Sequence, residues 1–255
     1  MSSPSASDKM TYMRRVIAGL ALFGLGFSAV FAAVEVPAAA HLKGLTWLGH
    51  ASFRLERAGV VVYFDPWKIE GEPHDGDLIL ITHPHFDHFS QPDVAKVAKP
   101  DAEIVTVRDC VQKLRDAGFS GAIRVLKPGD KVEVRGVPVE AVPAYNTDKN
   151  FHPKENNWAG FILELDGVRF YHAGDTDPIP EMSTFKVDVA LLPVSGTYVM
   201  TSKQAAAAAK VLQPRVAVPM HYGSIVGTEA DAKRFRSLAG GVVVEILEKN
   251  TVRSE

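Results

Sequence analysis

A chain of 255 residues with 46% hydrophobic and 23% charged residues has an ordinary globular composition and the length of one large domain. Its formal net charge of -2, without any dense Lys/Arg run, argues against the electrostatic footprint of nucleic-acid binding and suits a small substrate better. Cys110 is the only cysteine, which excludes an intramolecular disulfide and a thiolate zinc site, so any metal must be held by nitrogen and oxygen.

In chain order, Lys9, Arg14 and Arg15 precede an uncharged stretch from Val16 to Val34, then small residues up to Ala40. A basic flank ahead of an apolar run is what an export signal needs, with cleavage after Val30-Phe31-Ala32 or Ala38-Ala39-Ala40. The run is nevertheless longer than the ~7–15 residues of a typical signal and approaches the ~20 that span a bilayer, so a retained anchor stays open beside an ordinary buried helix. Residues 1–40 are read as export signal or N-terminal anchor, and 41–255 as the working domain. That domain is expected to be periplasmic or extracellular, with membrane association through residues 16–34 if the anchor is kept.

From Gly44 the pattern turns to short apolar or alternating segments punctuated by Gly, Pro and Asp. Strands are expected at Leu45–Leu48, Ser52–Glu56, Val60–Phe64, Leu78–Thr82, Glu103–Val107, Lys131–Val134, Val137–Val142, Phe161–Leu165, Val168–His172, Val189–Leu192, Arg215–Val218 and Val242–Leu247. Helices are expected at Arg108–Ala117, at Ser202–Leu212 capped by Thr201, and at Glu229–Leu238, where Thr228 and Asp231 form a capping box. The segment from Ala51 to Asp65 resembles the one from Ala159 to His172: each is a hairpin with a tight Gly turn, soon followed by an Asp (Asp65 or Asp175) and then by a strand opening on Asp77 or Asp188. Such similarity also arises by chance in strand-rich chains. Taken as a repeat, it predicts two sheets facing each other about a pseudo-twofold axis, with helices outside and the site loops at one shared edge.

His83-Pro84-His85-Phe86-Asp87-His88 follows the apolar strand that ends at Thr82, where side chains can converge on one point. Alternate residues of extended chain share a side, so His83 and His85 can bind one metal while the turn re-aims Asp87 and His88 towards a second. Imidazole and carboxylate suit zinc, manganese or iron, with zinc favoured by the imidazole content. A polar turn of clustered histidines is the bland alternative. Four ligands do not complete two sites, and the remaining candidates in loops after strands are His152, Asp175 and His221. Taken singly, a loop histidine is more often a surface residue. His41 and His74 receive that reading.

With these residues the chain resembles the metallo-β-lactamase superfamily, whose pattern is His-x-His-x-Asp-His, a distant His, an Asp in a Gly-Asp segment and a final His. Leu48-Gly49-His50-Ala51-Ser52, Tyr171-His172-Ala173-Gly174-Asp175-Thr176-Asp177, Leu191-Leu192-Pro193-Val194-Ser195-Gly196-Thr197-Tyr198 and Pro219-Met220-His221-Tyr222-Gly223 are similar to a branch of small metal-dependent hydrolases. That branch is related to L-ascorbate-6-phosphate lactonase and the phospholipase D acting on N-acylphosphatidylethanolamine. The resemblance implies an α/β fold, a four-layer αβ/βα sandwich of two facing mixed sheets with outer helices. It implies that His83, His85 and His152 hold one metal, that Asp87, His88 and His221 hold another, and that Asp175 bridges them. His50, His172 and Asp65 would orient ligands, and Asp177 would be dispensable.

The expected activity is metal-dependent hydrolysis, in which two divalent transition-metal ions about 3.5–4 Å apart activate a bridging hydroxide and no Ser or Cys nucleophile is required. The bond attacked could belong to an ester, lactone, thioester, amide or phosphodiester. Catalytic candidates are Asp87 and His50, with Tyr198, Tyr222 and Lys154 for steadying a developing oxyanion. An iron-dependent oxidoreductase on the same fold, a degenerate metal-binding protein and a phospholipid-directed phosphodiesterase are the alternatives. A small-molecule or lipid-like substrate is expected, its pocket shaped by Trp67–Gly76 and Tyr145–Asn157, and nucleic acid is not.

Overall fold

The computed structural model describes residues 37–250, so the expected export signal or anchor at 16–34 lies outside the described residues. No helix among the described residues is long and apolar enough to cross a membrane. A short helical turn, α1 (Ala38–His41), opens the described chain.

Two six-stranded sheets follow. The first runs β1 (Leu45–Gly49), β2 (Ser52–Arg57), β3 (Val60–Phe64), β4 (Gly76–Ile81), β5 (Ala98–Thr106) and β6 (Ile123–Val125), neighbours in that order. The second contains β7 (Lys131–Val134), β8 (Val137–Pro143), β9 (Ala159–Leu165), β10 (Val168–His172), β11 (Val189–Pro193) and β12 (Val216–Met220), again with consecutive strands adjacent.

The repeat read in the sequence is present in the connectivity. Strands β1 to β5 pair antiparallel, antiparallel, parallel, parallel, and β8 to β12 do the same. The hairpin turns agree too: Ala58-Gly59 and Asp166-Gly167 both have two successive residues at positive φ, the backbone that matches the twist of paired strands. Beyond the shared core, β6 extends the first sheet and β7 the second.

Strands β4, β11 and β12 are buried along their whole length, as parallel strands covered on both faces must be. The sheets meet through one hydrophobic core. Phe64, ending β3, stacks on His172, ending β10, at 5.2 Å, and Arg57 lies over Phe170. Outside the sheets, α2 (Gln91–Val97) and α3 (Arg108–Asp116) belong to the first half, while α4 (Ser202–Leu212) and α5 (Glu229–Leu238) pack on each other and on the second sheet. The result is the expected αβ/βα sandwich. Both expected caps form: Gln204 N–H donates to Thr201 Oγ1, and Thr228 N–H donates to Asp231 Oδ2 at 2.8 Å.

Three expectations need correction. Val242–Leu247 is not a strand: it adds only a parallel bridge at Val244 to the edge of β12, with Val243 facing solvent. Helix α2 was not expected, although Ser90-Gln91-Pro92-Asp93 carries a cap and an early Pro. Strand β5 begins at Ala98, earlier than the apolar run from Glu103 suggested.

Candidate metal centre

The sheets present their loops at one edge, and those loops bring together every residue expected to hold metal. His83, His85, Asp87 and His88 come from the loop after β4, His152 from the segment between β8 and β9, Asp175 from the loop after β10, and His221 from the end of β12. Three overlapping groups have ligand atoms within 4.8 Å of one another: His83, His85 and His152; His83, His88 and Asp175; and His50, Asp87, His88 and His221. Asp175 joins them. Its Oδ2 lies 3.2 Å from His152 Nε2 and 3.1 Å from His221 Nε2, and its Oδ1 lies 3.1 Å from His88 Nε2.

The outward nitrogen of each buried imidazole is tied down, which fixes the inward one. Asp65, buried and at positive φ directly after β3, receives the Thr82 N–H and the Thr82 hydroxyl, and takes His88 Nδ1–H at 2.7 Å. Because the Thr82 hydroxyl is spent on Asp65, its oxygen accepts from His83 Nδ1 at 3.0 Å. His152 Nδ1–H donates to Asn146 Oδ1, and His221 Nδ1 meets Ser195 Oγ at 3.0 Å. These contacts occupy Nδ1 and aim Nε2 of His83, His88, His152 and His221 inward, the nitrogen that metal ligation requires to be deprotonated. His85 turns Nδ1 towards His83 Nε2, 3.0 Å away. At that distance one N–H can bridge the two rings, and with both nitrogens deprotonated they can share a cation.

Fit to a metal can be judged on unsatisfied atoms. Buried polar groups are normally paired, yet His88 Nε2, His152 Nε2, His221 Nε2 and Asp175 Oδ1 are buried without a hydrogen-bond partner. All four converge on one space. The donor set is imidazole nitrogen and carboxylate oxygen, which suits divalent transition metals. Burial lowers the basicity of His83 and His85, keeping both neutral. Burial raises the Asp175 carboxyl, but His221 and His88 outweigh it and hold it well below the usual carboxylate range.

Of the two histidines expected to orient ligands, His50 bonds a cluster residue directly, whereas His172 bonds only backbone. His50 Nε2–H donates to Asp87 Oδ2 at 2.9 Å. Desolvation pulls the His50 imidazole down to about 4, so it donates as a neutral group. Burial raises Asp87, but the His50 hydrogen bond and neighbouring His88 bring it down to about 2. His50 and His221 both sit at positive φ, and the His221 N–H donates to the His50 carbonyl; such strain in non-glycine residues concentrates at functional sites. His172 Nε2–H donates to Ala51 O while its Nδ1 accepts the Gly174 N–H, pinning the loops of both halves. Gly174 is itself at positive φ, and a Cβ there would lie 3.2 Å from Thr82 Cβ, so only glycine lets the halves approach this closely.

The proposed oxyanion groups fare differently. Tyr198 stands beside the cluster: its ring packs edge-on against Phe151 at 4.8 Å and its carbonyl accepts from Asn146, which holds His152. Tyr222 turns away, stacking on Trp47 beside a cleft lined by Glu229, Lys233 and Arg236. Lys154 pairs with Glu181 and lies over the Tyr145 ring. For both, the expected role has no contact with the cluster to rest on. Asp177 is not dispensable by its surroundings, being buried and tied to Lys149 and the Thr147 N–H.

Sequence reasoning missed Trp158. Its ring lies 4.9–5.7 Å from those of His83, His85 and His152, and its Nε1–H donates to Asp109 Oδ2. It walls the three-histidine end of the cluster. Ser195 and Asn146 were also missed; only their proximity to family motifs marks them.

The fold and this site define a metallohydrolase of the β-lactamase type, and comparison with known proteins agrees. The pattern described as Beta-lactamase superfamily domain matches residues 44–221. A UPF0173 metal-dependent hydrolase of Pyrococcus abyssi is 37% identical over 209 residues, 76% of this chain and 91% of that protein. A solved structure from Parabacteroides distasonis, described as a metal-dependent hydrolase, aligns at 34% identity with TM-score 0.69, covering 81% of this chain and 93% of its own. Igni18, a metallo hydrolase from Ignicoccus hospitalis, aligns at 30% identity with TM-score 0.65, covering 81% and 95%. The chain belongs to the metallo-β-lactamase superfamily, among its small metal-dependent hydrolases.

Proposed function

We propose that this protein is a binuclear hydrolase of a small-molecule ester, lactone, thioester, amide or phosphodiester. The observation that carries the reading is the convergence of four unsatisfied buried atoms, His88 Nε2, His152 Nε2, His221 Nε2 and Asp175 Oδ1, on one space between the sheets. His83, His85 and His152 would hold one ion, Asp87, His88 and His221 the other, and Asp175 both. The nitrogen-rich donor set favours zinc, with manganese or iron also compatible. Bound there, two divalent ions supply Lewis acidity, lowering the pKa of water and polarising the substrate oxygen.

The chain's own residues then supply orientation and proton handling. Asp65, Thr82, Asn146 and Ser195 fix the inward nitrogens. His50 holds the Asp87 carboxylate through Nε2, a contact through which a proton can be passed without moving either side chain. Residues 16–34 with their basic flank are read as directing export, which would place this chemistry outside the cytoplasm.

The test is elemental analysis of full-length protein reconstituted separately with zinc, manganese and iron, followed by lactone, phosphodiester, β-lactam and thioester panels. Close to two ions per chain and metal-dependent turnover on one panel are expected. Protein that consistently retains no metal overturns the reading, and one ion per chain overturns its binuclear part.

A further inference from the structure

Solvent reaches this cluster from one side. Among its residues, His85 and Asp87 are partly exposed, while His50, His83, His88, His152, Asp175 and His221 are buried. A substrate must therefore arrive over His85 and Asp87. The residue between them is Phe86, which is 67% exposed. Its ring meets Trp67 edge-on at 6.1 Å, and Trp67 in turn packs edge-on against His50 at 5.1 Å. A second pair stands at the same corner: Phe151, 48% exposed and adjacent to His152, packs edge-on against Tyr198 at 4.8 Å. Each pair is tied to the cluster, the first through Trp67 on His50 and the second through the Tyr198 carbonyl on Asn146, which holds His152, and the rings of His85 and His152 are 5.0 Å apart.

A single exposed Phe is ordinary in a soluble protein. Two aromatic pairs beside a metal cluster are not, because none of the four supplies a ligand while the Phe86 and Phe151 rings keep about half or more of their surface in water. Exposed apolar surface continuous with a polar reaction centre marks the part of a binding site that takes hydrocarbon. The nearby cations do not offer an anion site. Lys68 lies over the Trp67 ring and donates to Ser224, and Lys149 is bound by Asp148 and Asp177.

We propose that Trp67, Phe86, Phe151 and Tyr198 form a hydrocarbon-binding rim, and that the substrate is a small compound whose scissile group is carried on an alkyl or aryl chain. This rests on the two-metal reading of the cluster. The polar group reaches the metals over His85 and Asp87, while the chain lies between the two aromatic pairs. Covering the rim removes apolar surface from water on both partners, so affinity rises by about fourfold for each methylene that is covered.

Alkyl hydroxamates test this without knowledge of the bond cleaved, because the hydroxamate head chelates metal and only the chain varies. Binding of aceto-, butano-, hexano- and octanohydroxamate to the metal-loaded full chain is measured by calorimetry, after elemental analysis of each variant. In the wild type, affinity should climb by about fourfold per methylene until the rim is covered. In Phe86→Ser/Phe151→Ser that gradient should fall to less than half, and Phe151→Ser alone should show part of the loss if the double variant does not hold metal. Val211→Ser, which removes a comparably exposed apolar side chain on α4, should keep the full gradient. Binding that is independent of chain length in the wild type, or a gradient unchanged in the Phe variants, overturns the rim. Failure of every hydroxamate, acetohydroxamate included, to bind metal-loaded protein overturns the two-metal reading itself.

Discussion

Asp175 carries its carboxylate into a space walled by four imidazoles, with Nε2 of His88, His152, His221 and His83 between 3.1 and 4.0 Å away. Asp175→Asn preserves shape but removes the only negative charge placed between the two proposed ions, so one ion should bind weakly and turnover should fall by at least about 10²- to 10³-fold. The fold should survive, as far-ultraviolet circular dichroism would show. Asp177→Asn looks in the sequence like a matched control, but the buried Asp177 carboxylate holds Lys149 and the Thr147 N–H, and its loss would leave Lys149 with the exposed Asp148 alone. The sound control is Asp166→Asn in the β9–β10 turn, whose side chain is largely exposed and whose positive φ Asn tolerates. It should keep near-normal turnover and metal content. Wild-type turnover and two ions in Asp175→Asn would remove it from the centre.

At the scale of elements, the first half is braced by a contact between α2 and the loop after β3. The buried Asp93 carboxylate accepts the N–H groups of Lys68 and Ile69, and Lys96 neutralises it. Asp93→Ala strands two backbone donors at about 1–3 kcal/mol each, so the melting temperature should drop by roughly 4–24 °C. Because the same loop carries Trp67, substrate affinity should weaken as well; unchanged melting would show that α2 does not brace the loop. None of this was legible beforehand. The strands were, since alternation and Gly turns are local features, and so was His83-x-His85-x-Asp87-His88, whose ligand types stand within six positions. His152, Asp175 and His221 were reachable only through the family pattern. Trp158, Asn146, Ser195 and Asp93 act across long sequence separations on partners that tertiary packing selects, so no local pattern announces them. Tyr222 shows the converse: standing next to His221 in sequence, it points its ring at Trp47, past the turn that His221 makes at positive φ after β12.

Across the whole molecule, the cluster draws ligands from both sheets, so metal should fasten one half to the other. Without metal, four buried polar atoms have no partner, whereas ligand at a hundredfold excess over its Kd stabilises the native state by about 2.7 kcal/mol. Chelation should therefore lower the melting temperature by roughly 5–10 °C. The gap should also depend on pH, in a direction set by His88. Burial pulls the His88 imidazole down, but Asp175 and Asp65 outweigh it and place it well above the ordinary histidine range. A raised folded pKa adds stability that is complete below the unfolded value and is lost as pH rises through the folded one. His50, His83, His85 and His172 shift the opposite way, chiefly through burial, so they act only near and below the unfolded imidazole value of about 6.5. Above about pH 7.5 they are neutral in both states, and His88 alone of these still titrates. Metal-free protein should then lose stability as pH rises above about 7.5, while the loaded form, whose ligands must already be deprotonated, should not. Scanning calorimetry of both forms at several pH values would show the gap widening. A gap that narrows over this range, or no gap at all, would mean that the charge between Asp65 and Asp175 is not what metal replaces.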